Sequence, residues 1–461
     1  MLSSRIFHSR IKSDQITGKE KFFGYFLGPV GFSLMISFLG SYLNVYFTDV
    51  LSLGSIGNGI FLSTLPLVST ILTVFTTLRM GRLVDQTKSP QGKARPWILL
   101  SAPILILGYV LLFTSPDNNH LLTGAWIFLA YLLFYSIGNV SYNAGHSLML
   151  PLSTANITKR SQLSPIVNAV GMVSGTMIAV IFPSMIIPRL GVNHSAWFTV
   201  AITIAIIALP LIFIEYYYTR ERVSETTQKT YADPLSFWKQ LRLCFRSRQW
   251  LFYFLYILIS QLLNLLSNAS IFYYCNWVLG SYNDGITQVL FYAIGNAPLG
   301  IGVFLCQPLC RIFGRKRAMM YGFLLSAVGC ILCLLNPTSL PLVLLGQFIK
   351  ATGLIPSTFL VTTLLADALD DVERTTGRRL DGFSSSIFSI MGTLAGGAAT
   401  AIFNFFLTRL GYIPPIATST LGVIPSQPAS VQGFFIFCVL VAPLISSLLL
   451  AFLMKASLKA E

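Results

Sequence analysis

Charged residues are scarce in this sequence. Only 10% of its residues are Asp, Glu, Lys or Arg, whereas 54% are hydrophobic. Soluble domains carry about 25% charged residues, so this scarcity excludes an ordinary soluble fold. Apolar runs of roughly 20 residues recur along the whole chain, and each can cross the hydrocarbon core of a bilayer as a helix. The sequence therefore predicts an all-α polytopic membrane protein embedded in the lipid bilayer.

Acidic residues are missing from the middle of these apolar runs. All 16 Asp and Glu residues fall in a loop, in a tail or near the end of a predicted span. A carrier driven by Na⁺ or H⁺ usually holds the cation or the proton on a buried carboxylate. The missing carboxylates therefore argue against coupling of that kind.

The motifs of enzymes and of metal sites are missing as well. The sequence has no phosphate loop, dinucleotide fingerprint or nucleophile–base pairing, and three of its four histidines are scattered in loops. The seven cysteines lack histidine or acidic neighbours, so we expect them to pack as small apolar residues. We expect no enzymatic activity, no metal and no cofactor, with Na⁺ or H⁺ as the candidate coupling ion.

Twelve membrane spans can be placed on the chain. They lie near residues 22–48, 55–80, 96–115, 122–150, 161–188, 195–218, 249–280, 285–312, 317–335, 339–366, 381–410 and 430–454. The predicted organisation is a cytoplasmic segment 1–21, a six-helix half 22–218, a central cytoplasmic loop 219–248, a second half 249–454 and a tail 455–461. No small-residue cleavage site follows the first apolar run, so we expect span 1 to be retained.

The basic residues follow the topology of these spans. With the N-terminus inside, all but three of the 31 Lys and Arg fall on cytoplasmic segments or span ends, the exceptions being Arg189, Lys350 and Arg409. This positive-inside bias accounts for the net charge of +15 without a nucleic-acid partner. It predicts a multi-pass protein of the plasma (inner) membrane with both termini in the cytoplasm. Two six-span halves around a central loop is the layout of the major facilitator superfamily.

Polar side chains recur on one face of the first span of each three-helix repeat. These stripes are Ser33, Ser37, Ser41 and Asn44 on span 1; Tyr135, Asn139, Asn143 and His146 on span 4; Gln261, Asn264 and Asn268 on span 7; and Gln347, Lys350 and Ser357 on span 10. Because polar groups are costly in hydrocarbon, four such stripes predict a central hydrophilic cavity. One stripe alone would also suit helix–helix contacts.

Two titratable residues of these stripes, Lys350 and His146, each have two possible roles. Lys350 lies near mid-membrane, where an unpaired ammonium costs at least roughly 2.5–3.5 kcal/mol. It either attracts an anionic group of the solute or reaches water and carbonyls without contacting the solute. His146, the one histidine inside a span, either titrates during transport or makes a structural hydrogen bond.

Two long motifs resemble a known family. The loop between spans 2 and 3 carries Gly81, Asp85, Thr87, Gly92, Lys93, Arg95, Pro96 and Trp97, and the stretch between spans 10 and 11 carries Ala366, Asp367, Asp370, Glu373, Thr376, Gly377, Arg379 and Gly382. Both are similar to motifs of the glycoside–pentoside–hexuronide:cation symporters, the melibiose-carrier family. The resemblance implies the facilitator fold, a central sugar site and, usually, Na⁺ or H⁺ coupling.

The chain departs from that family at its charged membrane positions. By register, the two span 2 aspartates of the family's cation site fall on Thr73 and Thr77, and the span 4 aspartate falls on Asn143. The family's span 1 aspartate, span 5 arginine and span 11 lysine fall on Ser33, Asn168 and Met391. We therefore expect no family-type carboxylate site. Uniport, exchange or an unusual Na⁺ site of Thr and Asn oxygens remain open.

These observations predict a carrier that moves a sugar, glycoside or uronide-like polar solute by alternating access. The predicted solute-binding residues are Ser37, Asn44, Asn139, Asn143, Asn168, Asn264, Asn268, Gln347 and Lys350. Asp85, Arg95, Asp367 and Arg379 are predicted to pair across helices and hold the cytoplasmic side closed. The alternatives are a transport-inactive membrane sensor or scaffold, and a lipid or lysolipid carrier on the same fold.

Overall fold

The computed structural model describes residues 8–116, 120–154, 156–222, 237–280, 282, 284–377, 380–415 and 426–458. Within these ranges the secondary structure is entirely helical. Eleven helices are long and apolar enough to cross a membrane, and a bent helix supplies a twelfth candidate. The predicted all-α class is confirmed, and the spans keep their predicted numbers below.

Spans 1 to 6 are Glu20–Leu43, Ile60–Val84, Arg95–Leu112, Leu122–Ser153, Ala169–Leu190 and His194–Tyr218. Spans 7 to 12 are Arg248–Leu279, Ile286–Phe313, Arg315–Leu335, Leu340–Thr376, Asp381–Arg409 and Ala429–Leu458. A short linker helix, Phe237–Arg246, precedes span 7. Span 10 is a helix of 37 residues, longer than the roughly 20 that cross the hydrocarbon core, and its last turns carry Asp367, Asp370 and Asp371.

Span 8 is bent by 62° between Gly302 and Phe304. Pro308 lies one turn later and lacks the N–H that would bond the carbonyl of Phe304. Glycine and the missing hydrogen bond together explain the kink at this place.

The chain divides into two compact units. The first holds spans 1 to 6 except for Pro183–Arg189, and the second holds that segment and spans 7 to 12. The exact boundaries predicted for the two halves and the central loop stay predictions.

Glycine permits close helix packing in the first unit. A Cβ on Gly28 of span 1 would lie 2.6 Å from the backbone of Glu215 on span 6. The two backbones can approach this closely because glycine has no side chain. This contact fixes span 1 against the part of span 6 that carries its buried carboxylate.

The second unit uses the same device between spans 9 and 10. A Cβ on Gly329 would lie 2.5 Å from the backbone nitrogen of Lys350. The close approach fixes the height of Lys350 within the unit, and thereby positions the pocket described next.

Candidate functional site

A polar pocket lies inside the second unit, around Lys350. It has a volume of about 50 Å³ and is lined by Tyr256, Ser260, Asn264, Phe323, Ser326, Lys350, Leu354, Ser357, Pro443, Ser446, Ser447 and Leu450. Spans 7, 9, 10 and 12 contribute these residues. The volume accommodates water and is smaller than the roughly 300–1,000 Å³ of pockets that enclose drug-sized ligands. The pocket therefore suits one functional group of a solute.

Lys350 brings a positive charge to this pocket. Its side chain is half-buried, and no salt bridge to it is found among the described residues. Hydroxyl groups dominate the polar lining, and Ser326 and Ser447 hydrogen-bond each other at 3.0 Å. A half-buried ammonium without a carboxylate partner is electrostatically suited to an anionic ligand group.

Two predicted solute-binding residues, Asn264 and Lys350, are thus brought together. Asn268, one turn further along span 7, is exposed in the isolated chain. Gln347 is 5% exposed and lies beside Gly295 of span 8, and its amide nitrogen has no hydrogen-bond partner among the described residues. Such a donor needs water or a solute oxygen.

The predicted residues of the first unit form a partly accessible stripe. Ser37, Asn44 and Asn139 are half-buried, and Asn143 is exposed. The Asn143 amide donates to the backbone oxygen of Asn139 at 2.9 Å and to its side-chain oxygen at 2.7 Å. The side chain of Asn168 lies outside the described part of the chain.

A hydroxyl network surrounds Thr73, one of the two span 2 residues predicted at the degenerate cation site. Thr73 Oγ1 lies 3.1 Å from Ser136 Oγ, which lies 3.2 Å from Ser69 Oγ. Thr73 also donates to the Ser69 carbonyl at 2.8 Å, and Thr77 donates to the Thr73 carbonyl at 2.7 Å. These hydroxyls use their donors on one another and on their own helix, as threonine commonly does in membranes.

The predicted gating residues have partners on neighbouring helices where they are described. Arg95 is 2% exposed, donates to the Tyr216 carbonyl at 2.8 Å and lies over the Tyr216 ring. Asp367 pairs with Arg315 of span 9 at 3.3 Å, and both side chains are partly exposed. The side chain of Asp85 and the whole of Arg379 lie outside the described residues.

Sequence reasoning missed the role of Glu221, which follows span 6. Its carboxylate accepts hydrogen bonds at 2.9 Å from the backbone N–H groups of Lys93, Ala94 and Arg95, where span 3 begins. Gly92 has φ +100°, and a Cβ there would collide with the Glu221 carboxylate. The backbone of the Gly-Lys-Ala-Arg motif thus forms a cradle that binds this carboxylate, and the position of Glu221 in the loop gave no signal of it.

A comparable cluster around Asp371 was also missed in the second unit. Asp371 is 8% exposed and accepts hydrogen bonds from Ser247 Oγ and from Arg374, both at 2.7 Å. Burial alone would raise the pKa of this carboxyl, but the hydrogen bonds from Ser247, Arg374 and the Gln249 backbone lower it below the usual 3.8. The cluster ties the C-terminal end of span 10 to the start of span 7.

A third unforeseen cluster lies between spans 4 and 6. Glu215 is 1% exposed; it accepts from the Tyr142 hydroxyl at 2.5 Å and lies 2.6 Å from His146 Nδ1. The sequence placed Glu215 near the end of span 6, and it does lie there, but its carboxylate is enclosed by protein. Its place near the end of a span, where acids are ordinary, gave no signal of this burial.

The fold and the pocket together define a polytopic membrane carrier. Residues 24–456 match the family of MFS/sugar transport proteins. The chain belongs to this family, whose members are transporters, which confirms the resemblance inferred from the two motifs and the expectation that the chain is not an enzyme.

Curated relatives are similar over most of their length. An isoprimeverose transporter of Lactiplantibacillus pentosus is 25% identical, covering 89% of this chain and 84% of the relative. The glucuronide carrier protein homolog of Escherichia coli is 27% identical, covering 85% and 83%. A putative sulfoquinovose importer of the same organism is 26% identical, covering 86% and 83%.

Solved structures show the same fold. The nucleoside transporter NupG matches with a TM-score of 0.60 at 14% identity, covering 96% of this chain and 98% of its own. A D-xylose–proton symporter matches with a TM-score of 0.61 at 13% identity, covering 94% and 96%. The predicted facilitator fold is therefore confirmed.

Proposed function

We propose that this sugar-family carrier moves an acidic sugar or glycoside, of the uronide type, by alternating access. We place it in the plasma (inner) membrane with both termini in the cytoplasm, because the basic residues concentrate on the segments assigned to that side. The observation that carries the choice of an acidic solute is the half-buried Lys350, for which no salt-bridge partner is described.

The pocket chemistry supports an anionic group over a neutral one. An ammonium attracts a carboxylate or sulfonate strongly where water is partly excluded, and serine hydroxyls and Asn264 can donate to the same oxygens. Two relatives named above are called a glucuronide carrier homolog and a putative sulfoquinovose importer, and both names refer to acidic sugars. A uronide offers one carboxylate for Lys350 and several hydroxyls for the amide stripes.

Na⁺ is not the driving ion in this proposal. By register, Thr73 and Thr77 stand at the span 2 positions where the resembled family has its cation-site aspartates. Their hydroxyls donate to backbone carbonyls of their own helix. Neutral hydroxyl oxygens offer Na⁺ less attraction than carboxylates do. Uptake into proteoliposomes should therefore be the same with and without a Na⁺ gradient, and strong Na⁺-driven accumulation would contradict the proposal.

A matched pair of sugars tests the solute class. Methyl β-D-glucuronide should raise the melting temperature of the purified carrier, and methyl β-D-glucoside, which lacks the carboxylate, should raise it less. Lys350→Ala should remove the difference between the two sugars, whereas Lys455→Ala, at the exposed end of span 12, should preserve it. Equal shifts by both sugars in the wild type would overturn the assignment of Lys350 as an anion anchor.

Counterflow of radiolabelled methyl β-D-glucuronide then tests transport itself. A carrier exchanges labelled for unlabelled solute without any ion gradient, whereas a sensor or scaffold does not. Failure of counterflow with a sugar that binds would favour the transport-inactive alternative.

A further inference from the structure

The cluster of Glu215, His146 and Tyr142 has no part in the solute pocket of the second unit. All three side chains belong to the first unit, on spans 4 and 6. Tyr142 is fully buried and its ring stacks on the His146 ring, with centroids 5.3 Å apart. The two carboxylate oxygens of Glu215 each have one close partner, His146 Nδ1 at 2.6 Å and Tyr142 Oη at 2.5 Å.

Charge compensation sets Glu215 apart from the other buried glutamate of this unit. Glu20, which is fully buried, is held by the Arg222 guanidinium through bonds of 2.9 and 2.7 Å. A guanidinium keeps its charge at every physiological pH, so that pair stays neutral overall. The partner of Glu215 is an imidazole, which gains or loses its charge in this range.

The two protonation states of this cluster therefore differ in net charge. With a neutral imidazole, the cluster carries one negative charge in a buried site. With a proton added, the imidazolium and the carboxylate cancel. Because an uncompensated charge is costly where water is excluded, proton binding removes a penalty that the fold otherwise bears.

The surrounding elements bring few other charges to the described part of this site. Charged and titratable side chains described on the elements packed around it include Glu20 and Tyr25 of span 1, Arg79 and Arg82 of span 2, Arg95 and Tyr109 of span 3, Tyr216 of span 6 and Arg222, which follows span 6; the side chains of Lys159 and Arg160, before span 5, lie outside the described residues. Arg222 is paired with Glu20, and Arg95 is bonded to the Tyr216 carbonyl. Arg79 and Arg82 are exposed.

The histidine is the more accessible member of the cluster. The His146 side chain is 23% exposed, whereas the Glu215 side chain is 1% exposed. The hydrogen bonds described for the ring involve Nδ1, so Nε2 is the ring nitrogen open to a proton. His146 also belongs to the polar stripe of span 4, three residues beyond Asn143.

The cluster is also in contact with span 1, which carries a predicted solute stripe. Phe32 stacks on the Tyr142 ring with centroids 4.2 Å apart. One turn earlier, Gly28 packs against the Glu215 backbone. Any movement of span 1 during transport changes the surroundings of the carboxylate, and so changes how strongly the cluster holds a proton.

We propose that Glu215, His146 and Tyr142 form a proton-binding site that couples solute movement to proton movement. A proton from water binds Nε2 of His146, turns the net charge of the cluster from −1 to zero, and leaves from the same nitrogen at a later stage of the cycle. This inference rests on the proposed carrier function, and it supplies the coupling that the family's span 2 and span 4 positions no longer provide.

Proteoliposomes test this with radiolabelled methyl β-D-glucuronide as the probe. Wild type should show counterflow, and a gradient of one pH unit, acid outside, should drive about tenfold accumulation if one proton moves with each solute. His146→Gln should keep counterflow, which needs no net proton movement, and should lose the accumulation. Glu215→Gln, which keeps an oxygen for His146 but removes the charge, should do the same.

His194→Gln is the matched control, because His194 lies at the opposite end of span 6. It should retain both counterflow and accumulation. Counterflow without pH-driven accumulation in the wild type would overturn proton coupling and leave the carrier function standing. Full accumulation by both His146→Gln and Glu215→Gln would overturn this site. Absence of counterflow from the wild type would refute the carrier function and the coupling with it.

Discussion

Removal of the Glu221 carboxylate tests the structural role of the span 2–3 motif. Glu221→Ala would leave the N–H groups of Lys93, Ala94 and Arg95 without their acceptor. Span 3 would then begin with uncapped donors and an unbalanced positive helix end. We expect the variant to be less stable than the wild type while it still folds.

The magnitude follows from the exposure of the site. A hydrogen bond to a charged group contributes about 1.5–3 kcal/mol when it is well buried. Because Glu221 is half-buried, water replaces part of the lost hydrogen bonding. The expected loss in the free energy of unfolding is therefore nearer that of a lost N-cap, ~0.5–2 kcal/mol, to which the lost helix-dipole interaction adds about 0.3–1 kcal/mol. We expect about 2 kcal/mol in all, or a melting temperature lower by about 4–8 °C for a unit of this size.

Tryptophan fluorescence is the suitable assay. Trp97 lies two residues beyond the cradle and donates to Thr87 Oγ1 at 3.0 Å, so its emission reports on this region. The melting temperature of Glu221→Gln should fall between those of Glu221→Ala and the wild type, because one acceptor oxygen remains. Asp14→Ala removes a carboxylate that is 94% exposed and should melt like the wild type. If Glu221→Ala also melts like the wild type, the cradle does not stabilise the fold.

Three further predictions concern other sites. Asp371→Asn should lower the melting temperature at pH 7. Its difference from wild type should shrink as pH falls below 3.8 and through the lowered pKa of the folded protein, because a carboxyl with a lowered pKa stabilises only while it is ionised; melting curves followed with a thiol-reactive dye check this. Thr73→Val should lower the free energy of unfolding by about 1 kcal/mol because its hydrogen bonds are lost, and tryptophan fluorescence during thermal unfolding measures this. Its solute uptake should be as insensitive to Na⁺ as that of the wild type. Gly28→Ala should lower the free energy of unfolding by about 1–3 kcal/mol because the added methyl group overpacks the helix contact, and the same assay measures it. Gly40→Ala, where the added methyl group meets open space, should leave the stability unchanged.

Hydrophobic runs and basic loops were sufficient to predict the helices. The twelve predicted spans correspond to helices, since the membrane requires every span to satisfy its backbone within itself, but span 10, predicted to end at residue 366, runs on to Thr376. The bend in span 8 was not predicted, although Gly302 and Pro308 were visible in the sequence. Proline is common in membrane helices, and its presence alone does not say which residue becomes a hinge.

The pairing of charges could be predicted only in part. A lone Lys350 in an apolar span was noticeable because its cost in hydrocarbon is large. Glu215 and Glu221 lie at or beyond the end of a span, where acids are ordinary, so their position gave no reason to single them out. Their burial depends on which helix packs against them, and neither periodicity nor composition determines that.

Three acids of the first unit illustrate how similar residues acquire different functions from their partners. Glu20 is paired with a guanidinium, and Glu221 is held by backbone N–H groups. Glu215 faces an imidazole, and its cluster changes charge when that ring takes a proton. The first two arrangements stabilise the ends of helices. The change of charge in the third is the property on which the proposed proton coupling rests.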